Sequence, residues 1–204
     1  AHARAIPIYQ TTSYVFESAE QAAGRFALSD LGPIYTRLTN PTTDIVEQRI
    51  AALEGGVGAL LTSSGQAATT LALLTLGGAG DNIVASPSLY GGTTNLLTHT
   101  LPRLGIETRF VDEPGDPAAW AALADERTVA FFGESIPNPR GDILDIEAIS
   151  AAAHELGVPL VVDNTVASPF LTRPSEWGAD IVVASATKFL GGHGSSVAGV
   201  IVDS

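Results

Sequence analysis

The sequence predicts an α/β fold: a mostly parallel sheet flanked by helices. Three observations carry that expectation. From about residue 55 onward, short β-branched apolar runs alternate with Ala- and Leu-rich stretches. The joints between them are built from Gly, Pro, Asp and Ser, as βαβ units require. Hydrophobic residues make up 45% of the 204 positions against 16% charged, so the chain can bury a sizeable core.

Taken in order, Val57–Thr62 reads as a strand and leads into a helix near Gln66–Leu76. Asn82–Ala85 leads into a helix near Thr93–Leu104, and Ile106–Val111 into one near Pro117–Ala124. Thr128–Gly133 is followed by a helix at Ile146–Leu156 and then by the strand Pro159–Val162. Asp180–Ala184 and Val197–Val202 close the series with little helical sequence between them. Residues 1–40 differ: they are turn-rich and polar, with scattered aromatics at Tyr9, Tyr14, Phe16 and Tyr35 and one short helical stretch near Ala19–Phe26. They read as an N-terminal arm, with residues 41–204 as the α/β domain.

Composition narrows the function. A net charge of −12 argues against a nucleic-acid binder, which needs Lys and Arg to neutralise phosphates. The absence of cysteine removes disulfides, thiolate nucleophiles and Cys-ligated metal sites, and fits a cytoplasmic setting. No apolar run reaches the roughly 18 residues of a membrane span. The four histidines, His2, His99, His154 and His193, form no H-E-x-x-H pair, so no metal site is expected.

In open α/β sheets ligands bind beyond the carboxyl ends of the strands, and four strand ends carry polar chemistry. Thr62-Ser-Ser-Gly-Gln-Ala-Ala68 hands a strand to a helix through hydroxyls and a glycine, where unpaired N–H groups can meet a phosphate. Taken alone it is an ordinary Ser cap, and no Walker-type lysine accompanies it. Pro159-Leu-Val-Val-Asp-Asn164 ends a buried strand in a carboxylate, which either caps the next segment or pairs with a cationic ligand atom. Glu134-Ser-Ile-Pro-Asn-Pro139 fails as a nucleophile elbow because Pro137 replaces the second glycine. Ser185-Ala-Thr-Lys-Phe189, followed by a glycine-rich turn, holds Lys188, the one lysine among ten cations. A lysine amine set among hydroxyls at a strand end is a candidate for reaction with a carbonyl.

Together these ends supply a phosphate cup, a carboxylate and an amine. Pyridoxal 5′-phosphate needs that set: an anchor for its phosphate, an acid beside its ring nitrogen and a lysine for its aldehyde.

The chain also resembles the Cys/Met-metabolism PLP-dependent family over nearly its whole length. The matching segments are Ile34-Tyr-Thr-Arg-Leu-Thr-Asn-Pro-Thr-Thr43, Leu53-Glu-Gly-Gly56, Ser63-Ser-Gly-Gln-Ala-Ala68 and Ser88-Leu-Tyr-Gly-Gly92. Glu134-Ser-Ile-Pro-Asn-Pro139, Val162-Asp-Asn-Thr165 and Ser185-Ala-Thr-Lys-Phe-Leu-Gly-Gly-His-Gly194 follow in the family's order. The resemblance implies the large domain of an aspartate aminotransferase-like, fold type I PLP-dependent transferase. It implies Lys188 as the Schiff-base lysine and proton carrier, Asp163 as the partner of the pyridinium nitrogen, and Asn138 as the amide near the phenolic oxygen. It further implies Ser64, Gly65 and Gln66 at the phosphate, with hydroxyls from Ser185 and Thr187, and Tyr90 stacked on the ring as an acid–base group. Tyr35 and Arg37 resemble a pair that reaches the phosphate of a neighbouring subunit, which implies a homodimer or a dimer of dimers.

Within the family, the motifs are most similar to the branch that adds sulfide or a thiol to O-acetylhomoserine, giving homocysteine or methionine plus acetate. Pro137, Val166 and Ala186 depart from that branch's pattern. The alternatives are O-succinylhomoserine as substrate, the cystathionine synthases and lyases of the same family, or a module that holds cofactor without turnover. Relatives of this kind run to roughly twice this length, so the chain is expected to be the arm and most of the cofactor domain of a longer enzyme, whose C-terminal domain lies outside it. The partners implied are small molecules, with no nucleic acid and no membrane.

Overall fold

The computed structural model describes residues 4–204. The chain divides into two compact units between Arg49 and Ile50, whereas composition marks its change at residue 40. The division falls inside a helix that the residue pattern does not announce, α2 (Pro41–Glu54). Its opening Pro-Thr-Thr is poor in helix propensity, but Asn40 supplies a cap: its Oδ1 accepts the Thr42 N–H at 2.9 Å, and Pro41 sits where no N–H is needed.

In the first unit, α1 (Ala19–Phe26) forms as its sequence predicts. Ser18 caps it by accepting the Gln21 N–H, and Gln21 returns the favour to the Glu17 N–H at 2.8 Å. Asn40 donates to the Tyr9 carbonyl at 2.9 Å, and a single β-bridge joins Ser13 to Tyr35.

The second unit holds a seven-stranded sheet in the order β1-β7-β6-β5-β4-β2-β3. Its strands are β1 (Gly58–Thr62), β2 (Asn82–Ala85), β3 (Glu107–Phe110), β4 (Thr128–Glu134), β5 (Leu160–Asp163), β6 (Ile181–Ala184) and β7 (Gly199–Asp203). Every neighbour pair is parallel except those of β7, which runs antiparallel to both β1 and β6. The chain between β6 and β7 makes turns in place of a crossover helix, so it comes back reversed beside the strand it left.

Side-chain alternation along the strands sorts the core into two faces. Ile83, Ala130, Phe132, Val161 and Val183 pack on one face under Ala68, Ala72 and Leu73 of α3 (Gly65–Leu76). Val84, Phe131, Leu160 and Val162 pack on the other under Trp120 of α5 (Pro117–Leu123) and Ile149 of α6 (Ile146–Glu155). Ile50, at the end of α2, extends that second layer over Val182, Ala184, Val200 and Val202. Trp120 and Phe131 are fully buried with ring centroids 5.4 Å apart. Burying each such ring contributes roughly 2–3 kcal/mol, which is why the sheet, not the connections, fixes the frame.

The stretch expected as one helix from Thr93 to Leu104 is helical but not uniform. It runs as α4 (Gly91–Asn95), a π turn (Leu96–Thr100) and a 3₁₀ turn (Leu101–Leu104). Pro102 has no N–H to give and sits at the start of the tighter 3₁₀ turn, while the π turn before it is wider than an α-helix; Leu96, Leu97 and Leu101 are all buried in the core. A short helix, α7 (Ser168–Leu171), follows β5.

Candidate active site

Because β7 alone is reversed, the carboxyl ends of β1, β4, β5 and β6 lie along one edge of the sheet, level with the start of β7. A cavity of about 960 Å³ opens along that edge. It gathers Ser64, Gly65, Gln66, Tyr90, Asn138, Asp163, Ser185, Thr187 and Lys188, all singled out from sequence, from five separate segments. Tyr35 and Arg37 belong to the first unit, where the Arg37 guanidinium carbon lies 5.0 Å from the centre of the Tyr35 ring.

Asp163 is the last residue of β5 and its carboxylate is braced from one side. Oδ1 accepts both the Thr165 N–H at 2.9 Å and the Thr165 hydroxyl at 2.5 Å. Among the described residues Oδ2 has no donor. Burial pushes the carboxyl up from its ordinary value, against the opposing pull of the two Thr165 bonds. A cation placed at Oδ2 from the cavity would reverse that push.

The start of α3 forms the second wall. Ser64 caps the helix by accepting the Ala67 N–H at 3.1 Å, which leaves the first helical N–H groups, those of Gly65 and Gln66, turned outward. Gly65 is required by space: a Cβ there would lie 2.6 Å from Cβ of Ser185 and 2.9 Å from its Cα. The helix start therefore presses against the end of β6 and brings two polar segments side by side. The Ser185 N–H donates to Thr165 Oγ1 at 2.7 Å. Thr187 is committed differently: its hydroxyl donates to the Ala198 carbonyl at 3.1 Å and accepts the Ala198 N–H at 3.0 Å. Its hydrogen is spent on the backbone, so it lines the cavity as a fixed oxygen and not as the free donor expected.

Lys188 rides on the turn after β6. Its N–H donates to the Ser185 carbonyl at 3.1 Å and its carbonyl accepts the Gly192 N–H at 2.8 Å. The turn is tight enough that a Cβ at Gly191 would sit 2.5 Å from the Ala186 carbonyl oxygen. The Lys188 side chain itself is exposed at the cavity mouth, with no ion-pair partner among the described residues.

Three residues at the site were not singled out as such. Thr165 is the brace just described. Glu134 ends β4 directly opposite Asp163 in the ladder and is almost wholly buried. Its Oε1 accepts the Tyr90 N–H at 2.6 Å and its Oε2 the Asn138 N–H at 3.4 Å. Burial, with help from the Asp163 charge, pushes its carboxyl up to about 7. Glu54 lies behind the site, fully buried, its two oxygens sharing the Asn164 amide at 3.2 and 3.3 Å. Burial pushes it up to about 7 as well. A strand-final acid was the available signal for Glu134; nothing local distinguished Glu54.

A primary amine, an undonated carboxylate oxygen and an open helix N-terminus around one cavity suit a phosphorylated, amine-reactive cofactor with a basic ring nitrogen. The chain belongs to the Cys/Met metabolism PLP-dependent enzyme family, which matches residues 1–204, and its cofactor is pyridoxal 5′-phosphate. It is 59% identical over 201 residues to the O-acetyl-L-homoserine sulfhydrylase of Corynebacterium glutamicum, covering 98% of this chain and 46% of that protein. It is 55% identical over 203 residues to the homocysteine/cysteine synthase of Kluyveromyces lactis, covering 98% of this chain and 45% of that one. A Campylobacter jejuni crystal structure named for O-acetylhomoserine (thiol)-lyase activity, with a pyridoxyl-lysine phosphate in its chain, superposes with a TM-score of 0.94 at 43% identity. That match covers 97% of this chain and 49% of the other. The chain thus spans about half the length of the curated relatives it matches.

Proposed function

We propose that this chain forms the cofactor-holding part of an enzyme that replaces the acetoxy group of O-acetyl-L-homoserine with sulfide or a thiol, releasing acetate. The observation that carries the reading is that the one lysine, Lys188, and the carboxylate Asp163 line the same cavity. The sulfhydrylase and synthase names of relatives more than half identical to it support the choice of substrate.

In this reading Lys188 Nζ holds the cofactor covalently. Asp163 Oδ2 takes its ring nitrogen, and the N–H groups of Gly65 and Gln66 with the Ser64 and Ser185 hydroxyls take its phosphate. Tyr90 would cover the ring face, and the Asn138 amide would meet the phenolic oxygen. Pyridoxal phosphate, when bound, supplies an electron sink for the pair left on proton removal at Cα. The chain's own work is proton transfer. Lys188 Nζ would take the α-proton, and Tyr90 Oη would give or take a proton near the leaving acetoxy group. A cationic ring nitrogen beside Asp163 would offset its burial and favour the carboxylate form.

Tyr35 and Arg37, in the first unit, are assigned to the phosphate of a neighbouring copy, which makes the working enzyme a homodimer or larger. A cytoplasmic setting accords with a chain free of cysteine, in which no described helix is long and apolar enough to cross a membrane.

Borohydride reduction of the full-length protein with pyridoxal phosphate, followed by peptide mapping, is expected to leave a pyridoxyl group on Lys188. Assay with O-acetylhomoserine plus sulfide is expected to exceed turnover of cystathionine. An unmodified Lys188 defeats the cofactor assignment, and turnover of cystathionine alone defeats the substrate.

A further inference from the structure

The walls of the cavity that carry Tyr90 and Asn138 come from different loops, one after β2 and one after β4. Neither loop has regular structure at that point, yet both end on one carboxyl group. Glu134 Oε1 takes the Tyr90 N–H at 2.6 Å and Oε2 the Asn138 N–H at 3.4 Å, so a single buried side chain spans the gap. A second tie runs between the same two loops farther out, from the Ser88 hydroxyl to Asp142 at 2.6 Å. Tyr90 is the N-cap of α4 and its side chain makes no capping bond; its N–H goes to Glu134.

We propose that Glu134 is a positioning residue of this enzyme, its two oxygens holding the Tyr90 and Asn138 walls at a set separation across the cofactor. The proposal rests on the reading above, in which Tyr90 covers the ring and Asn138 meets its phenolic oxygen. Glu134 acts through those two residues and touches no reacting atom. A carboxyl suits the task because it offers two acceptors on one short stem, whereas an amide offers one acceptor and sets an N–H against the other wall. Asp163, its cross-strand partner, is the charged group that faces it.

Glu134→Ala and Glu134→Gln in the full-length holoenzyme test this. Loss of both braces in Glu134→Ala is expected to lower kcat about tenfold with KM held within about twofold, and to change the visible circular dichroism of the bound cofactor. Glu134→Gln keeps one acceptor and is expected to restore about half of that loss on a logarithmic scale. Should the alanine variant fail to fold, the glutamine variant decides alone: a drop in kcat of about threefold with altered dichroism supports the brace. Dichroism and kcat indistinguishable from wild type in the folded variants overturn it. If Lys188 labels with borohydride while the variants stay unchanged, the brace alone falls; an unlabelled Lys188 overturns both readings.

Discussion

The Thr165 hydroxyl donates to Asp163 Oδ1 at 2.5 Å and in the same position accepts the Ser185 N–H at 2.7 Å. One oxygen thus joins the end of β5 to the end of β6, two strands whose tips bring Asp163 and Ser185 to the cavity. Such a relay orients Asp163 so that Oδ2 faces inward, and it sets the height of Ser185 against the start of α3.

Replacing that hydroxyl is therefore expected to loosen cofactor binding without emptying the core. Thr165→Val removes one charge-assisted bond and leaves the Ser185 N–H unpaired, a loss of roughly 2–3 kcal/mol. Titration of the apoenzyme with pyridoxal phosphate should show Kd raised on the order of 10²-fold, with Thr165→Ser close to wild type.

Asp163→Asn separates the charge from the shape. The apoenzyme is expected to be at least as stable as wild type, because burial already works against the Asp163 carboxylate when no cation faces it. With the cofactor bound the charge becomes useful, and kcat should fall on the order of 10²-fold or more. Thermal melting of the apo forms beside steady-state kinetics of the holo forms would check both halves.

Gly65→Ala tests close approach. A methyl group 2.6 Å from Ser185 Cβ has no room, and both partners are held, one by a helix and one by the relay. The variant should be destabilised by about 1–3 kcal/mol and lose affinity for inorganic phosphate and cofactor alike. Denaturant midpoints and phosphate competition would show it; an unshifted midpoint would mean that α3 yields freely.

Glu54 makes stability fall with rising pH. Its pKa stands at about 7 in the folded protein against an ordinary 4.5, so the folded state binds its proton more tightly. The resulting stabilisation is complete below about pH 4.5 and is lost as pH rises through about 7, an effect of roughly 3 kcal/mol. Urea midpoints should drop between pH 5 and pH 8, and Glu54→Gln should remove part of that slope, the rest belonging to Glu134, whose carboxyl is raised into the same range.

Much of this was legible in the residues. The strand–helix alternation located every strand of the sheet to within a residue or two, because turn formers bound each run and the central strands β2, β4, β5 and β6 are mostly apolar. Nine of the eleven site residues named from sequence line one cavity, because polar groups at strand ends have few places to go in an open sheet. The helix Pro41–Glu54 is not legible locally because its Pro-Thr-Thr start carries weak propensity, and its cap at Asn40 shows only through the Thr42 bond.

The sequence by itself determined the fold class, the family and the choice of Lys188 and Asp163, since those follow from residue types and their order along the chain. Only the tertiary structure decided which groups support them. Glu134 stands opposite Asp163 through strand register, Thr165 meets Ser185 across two strands, and Thr187 spends its hydrogen on Ala198. Each of these is a contact between segments far apart in sequence, and hydrogen bonds of a few ångströms are set by packing that no local pattern encodes.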